Sequence, residues 1–175
     1  MTRTSLTVDE CAALLVEWLR RHCNSASTKA TAKSIGYRYS IFSPQRKLHL
    51  VEELLFLYIS LAMFVANSAP STQPFVKPIV DRFLKDVRLG ALAILAKDDP
   101  EFPERYGLRL NTYVKDLQSE GAALSVSGDF LVYAFGSQDA RLKLGPSLAM
   151  VATVSAALQS LLQLLGEFHM HGSDA

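Results

Sequence analysis

The sequence predicts an all-α, single-domain bundle of five to six helices. Three observations carry this expectation. Apolar residues recur at three- and four-residue spacing through most of the chain. Ser, Asn, Pro and Gly interrupt these runs where helix starts and stops belong. The 175 residues, 49% apolar and 20% charged, suffice for one hydrophobic core, and no linker is long enough to separate a second domain. The apolar share also excludes intrinsic disorder. Seven Pro and nine Gly exclude collagen-like material, and a net charge of +1 argues against a globally basic nucleic-acid binder.

The first helix is the best marked. Thr7-Val8-Asp9-Glu10 has the form of a capping box, in which hydroxyl and carboxylate each satisfy a free amide, and Leu6 and Cys11 stand at hydrophobic-staple positions. Val8, Cys11, Ala12, Leu15, Trp18, Leu19 and His22 share one face, and Asn24 ends the helix. Residues 24–43 read as a loop segment, polar at first, with a short extended piece over 35–42. Ser43-Pro44 offers an N-cap and a first-turn proline for a second helix running to about Asn67. That helix is apolar on nearly all sides and belongs at the centre of the core, as does the last helix.

Pro70 and Pro74 close the next loop. A third helix spans about 76–97, with Ile79, Val80, Phe83, Leu84, Val87, Ala91, Ile94 and Leu95 inward. Asp81 with Lys85 and Arg82 with Asp86 form i,i+4 pairs outside. Pro103 opens a fourth helix, where Tyr106, Leu110, Tyr113, Val114 and Leu117 repeat at helical spacing before Gly121 ends it. The stretch 122–144 admits two readings: a small β-hairpin near 124–135 turning at Gly128-Asp129, or a short helix over Asp129–Phe135. Pro146 opens the last helix, which ends near Phe168, and 169–175 reads as a flexible tail.

The N-terminus shows no apolar region behind a basic one, so no secretory signal is expected. Cys11 and Cys23 lie on one helix about 18 Å apart, too far for a disulfide. Free thiols in a reducing cytoplasm are the simplest reading. Leu144 to Gly166 is 23 residues without charge, but its Ser, Thr, Gln and Pro content favours a buried or interface helix over a membrane span.

No catalytic signature is present. The nucleophile elbow, the phosphate-cradling Gly-rich loop and the dinucleotide fingerprint are all absent, and the balance favours a non-enzyme. No cofactor is implied. For metals, His49 shares a helical face with Glu52 and Glu53, but a di-iron bundle needs Glu-x-x-His on two helices, and here the order is reversed and occurs once. A helix-start histidine beside two exposed glutamates is the reading, and His169 with His171 do not make a defined site.

Two segments remain as candidate surfaces. Lys29, Lys33, Arg38, Arg46 and Lys47 fall within 19 residues free of acidic ones, with Tyr37 and Tyr39 flanking Arg38. Basic residues interleaved with aromatics can hold a phosphate backbone and stack bases. The alternative is a solvated loop whose tyrosines fold onto the core. In the last helix, Ser155, Gln159, Gln163 and Glu167 form a narrow polar stripe, and Ala152, Ala156 and Ser160 a row of small side chains that lets a second helix approach closely. This helix is buried within the domain or against another copy or partner.

The leading expectation is therefore a non-enzymatic interaction or assembly protein, self-associating through the uncharged C-terminal helix or binding another helical protein. The alternative is a nucleic-acid or phosphate-binding accessory protein. A third is a binder of a small apolar ligand, in a cavity among the aromatic and Met side chains.

Overall fold

The computed structural model describes residues 4–40, 42–97 and 99–170. A short strand β1 (Thr4–Leu6) leads into α1 (Val8–His22) and α2 (Ser25–Ser34), followed by the long α3 (Pro44–Ser68). After a 3-10 turn (Pro70–Thr72) come α4 (Val76–Val87), a π-helical turn (Arg88–Leu92) and the single-turn α5 (Ala93–Ala96). Then follow α6 (Phe102–Leu117), α7 (Ala122–Phe135), a 3-10 segment (Gln138–Leu142), α8 (Leu144–Gly166) and β2 (Phe168–Met170). The fold is all-α, a helical bundle as expected, with one small addition: β1 pairs in parallel with β2, Leu6 opposite Met170.

The helix α3 is the axle of the bundle. Every residue from Glu52 to Ala62 is buried, and α1, α2, α4, α6, α7 and α8 all pack on it. A helix apolar on all sides has no wet face to offer, so the other helices surround it. The capping box of α1 forms as its sequence predicts: the Thr7 hydroxyl accepts from the Glu10 amide at 3.2 Å, and the Thr7 amide donates to Glu10 Oε2 at 2.8 Å. Pro44 starts α3, but the Ser43 hydroxyl does not cap it. That oxygen instead accepts from the Ser40 amide at 2.9 Å.

Four expectations need correction. The segment 24–43 is not all loop: Asn24 Oδ1 accepts from the Ser27 amide at 2.9 Å and starts α2. Thr28, Thr31, Ala32 and Ile35, spaced as one helical face, are buried. No hairpin forms near 124–135. Residues Ala122–Phe135 are one helix between Gly121 and Gly136, both at positive φ, with Gly128 inside it. Residues 169 and 170 are not tail but strand, and 171–175 lie outside the described residues. Finally, α8 is not central: it packs on α7, α3 and α2 by one face and leaves the other to solvent.

The third predicted helix corresponds to α4, the π turn and α5 together. Arg82 pairs with Asp86 at 3.1 Å and also reaches Asp9 of α1 at 3.2 Å, while no ion pair joins Asp81 to Lys85. The inward set holds through Val87 and then slips. Leu92 is buried in place of Ala91, and Ile94 is 79% exposed. The π turn explains this: a turn closed by i→i+5 bonds carries one extra residue and advances the register of everything after it.

Candidate functional site

The basic segment is divided among three elements. Lys29 and Lys33 are exposed on α2, Arg38 is exposed in the connection, and Arg46 and Lys47 are exposed in the first turn of α3. Tyr37 is buried against Phe135, with ring centroids 5.2 Å apart, and its hydroxyl donates to the Arg46 carbonyl at 3.1 Å. The Arg46 guanidinium lies over that ring at 5.4 Å. Tyr39 is half-buried, 6.5 Å from Tyr37. Tyr37 therefore anchors the connection to the core and has no free face on which a base could stack.

The reading of Glu52 and Glu53 as exposed is overturned: both are buried. They face α6, where Arg105 and Arg109 meet them. Arg105 donates to Glu52 Oε1 at 3.0 Å and to Asp99 Oδ2 at 2.7 Å. Arg109 Nε spans both oxygens of Glu53 at 3.0 and 3.2 Å, and the Tyr113 hydroxyl donates to Glu53 Oε2 at 3.1 Å. The Arg109 guanidinium lies 3.5 Å from the centre of the Tyr133 ring, and His49 Nε2 meets the Tyr133 carbonyl at 2.9 Å. Burial pushes the Glu53 carboxyl up, against the pull of Arg109. Glu53 at 1% and Tyr113 at 0% exposure are closed off from solvent, while the Arg105–Asp99 end of the network is about one-third exposed. The network ties α3 to α6. Its sequence signal was the pair of arginines one helical turn apart on the face of α6 that carries Tyr106 and Tyr113.

Cys11 is buried in the core and Cys23 is half-buried against it. Burial lifts Cys11 to about 11 and Cys23 to about 12, so neither is a nucleophile at neutral pH.

On α8 the structure separates the two faces cleanly. Ser147, Met150, Val154, Ala157, Leu161 and Leu165 are buried. Outside stand Ala152, Ala156, Gln159 and Gln163, with Leu144, Leu148 and Leu162 exposed by 73%, 59% and 51%. Ser155 is half-buried between the faces. Ser160 belongs to the interior side, because its hydroxyl accepts from the Trp18 indole at 3.2 Å. The row of small residues is thus broken: Ala152 and Ala156 are open to solvent, while Ser160 holds α1.

Both α3 and α8 are long and apolar enough to cross a bilayer. They differ in what covers them, since 72% of the most apolar stretch of α3 is buried but only 28% of that of α8. No family model matches the chain, and neither a curated protein nor a solved structure matches it.

Proposed function

We propose that this chain is a non-enzymatic interaction and assembly protein that self-associates through the outer face of α8. One observation supports the reading above others. The exposed side of a 23-residue helix carries leucines, alanines and glutamines and no charge. A helix face meant for water carries Lys, Glu or Arg, and a contiguous uncharged patch of this kind marks a contact surface. Ala152 and Ala156 leave room for a second backbone to come close, and Gln159 and Gln163 can hydrogen-bond across a two-fold axis to their own copies.

The test is light-scattering mass on a sizing column at two salt concentrations, with absorbance at 260 and 280 nm. The expected result is an oligomer of the 19.3 kDa chain that survives high salt and carries no nucleic acid. Because Ala156 faces solvent, Ala156→Arg is expected to release folded monomer. A wild-type monomer would overturn the reading. Co-eluting 260 nm absorbance that salt removes, and that reversal of Arg38, Arg46 and Lys47 to Glu abolishes, would put the basic segment in its place.

A further inference from the structure

A groove lies between the π turn with α5 on one side and α6 on the other, and its chemistry is unlike that of the α8 face. One wall is formed by Leu92, Ala93 and Ala96, and the other by Phe102, Tyr106 and Leu110. Small residues line the gap: a Cβ added at Gly107 would meet nothing within 4 Å, and Ala93 and Ala96 reach no further than a methyl group. The space left is about 490 Å3, within the range of about 300–1,000 Å3 typical of small-ligand sites. The rings of Phe102 and Tyr106 in the α6 wall lie within 7° of parallel, 6.2 Å apart.

The groove has one charged group, Arg88, among the described residues that line it. Arg88 and the Asn111 amide line it, and among the described residues no acidic side chain does. Arg21, Arg82, Arg105, Arg109 and Arg141 each form an ion pair, whereas Arg88 forms none among the described residues. The Tyr106 hydroxyl is buried beside Arg88: burial raises its pKa, and the guanidinium pulls it back down.

We propose that this groove binds a small amphipathic carboxylate, its aliphatic chain along Leu92, Phe102 and Leu110 and its head on Arg88. A planar guanidinium matches a carboxylate by two parallel hydrogen bonds, and the single positive charge suits a monoanion. This site is separate from the α8 face and does not depend on self-association.

The probe is decanoate, labelled with 13C at the carboxyl and kept below its micellar range, titrated by NMR into the full chain. One saturable site is expected, in which the bound carboxyl stays ionised to lower pH than the free acid. Arg88→Gln is expected to weaken binding about tenfold. Ala93→Phe should abolish it by filling the groove; both positions are exposed, and circular dichroism checks that both variants fold. Leu148→Glu on α8 should leave it unchanged, which separates failure here from failure of the self-association reading. The inference is overturned if decanoate shows no saturable binding or if neither groove variant alters it. Equal competition by decyltrimethylammonium, or association only with phosphatidylglycerol vesicles, would overturn it as well.

Discussion

Glu53 shows how much a single side chain can depend on its neighbours. Its two oxygens take hydrogen bonds from Arg109 and Tyr113, and it is closed off from water. A buried pair of this kind is weak evidence for net stability, because desolvation offsets most of the attraction. Removing one partner is another matter, since it strands the other charge. Glu53→Ala is expected to cost about 3–5 kcal/mol, read by urea denaturation. The double variant Glu53→Met with Arg109→Met should cost clearly less than the sum of the two single changes; simple additivity would mean the pair is not coupled.

At the scale of the element, α7 is the instructive case. Gly128 sits mid-helix, where an added Cβ would meet only Arg141 Cβ, at an ordinary 3.8 Å. Gly128→Ala is therefore expected to stabilise the protein by roughly 0.5–1 kcal/mol, seen as a higher denaturation midpoint. A hairpin turn at that glycine would give the opposite sign. Where α7 meets α6, Asp116 faces Asp129, which Arg141 holds at 2.7 Å. Burial, then the charge of Asp129 and a hydrogen bond with it, raises Asp116 to about 6. Two ionised carboxylates cannot hydrogen-bond each other, and the buried Asp116 Oδ2 has no other partner; a proton resolves this. A carboxyl raised by folding binds its proton more tightly in the folded state. It thus favours that state at low pH, and the advantage is lost as pH rises through about 6. Asp116→Asn should gain stability over the parent at pH 7 relative to pH 4.5. An equal difference at both pH values would remove this account.

For the whole molecule, the two ends of the described chain are tied together by β1 and β2. Leu6 is buried there, and Phe168 and Met170 pack on the core. Truncation after Gly166 is expected to lower stability by about 1–3 kcal/mol through lost apolar burial, and to raise hydrogen exchange at Leu6. Unchanged exchange at Leu6 would show that the pairing contributes nothing. Much of the bundle could be read from the chain because its signals are local. The capping box, the first-turn prolines and the inward face of α4 depend on residues within a turn or two of each other. The helix α2 was legible too, in Asn24 and the spacing of Thr28, Thr31, Ala32 and Ile35, but threonine is a poor marker of burial. The candidate surfaces were legible only as composition. The basic run lost its base-stacking tyrosine to the core, and the row of small residues on α8 lost Ser160 to Trp18.

The sequence by itself determined the all-α class, the central place of α3 and the absence of charge along α8, because periodicity and polarity are properties of neighbouring residues. Only the tertiary structure decided that α8 lies at the rim with its leucines exposed. It also decided that Glu52 and Glu53 are buried under arginines from 53 and 56 positions away, and that a π turn shifts the inward face of one helix by a residue. The physical reason is that burial is set by what packs from elsewhere in the chain, and a residue's own turn of helix does not contain that information.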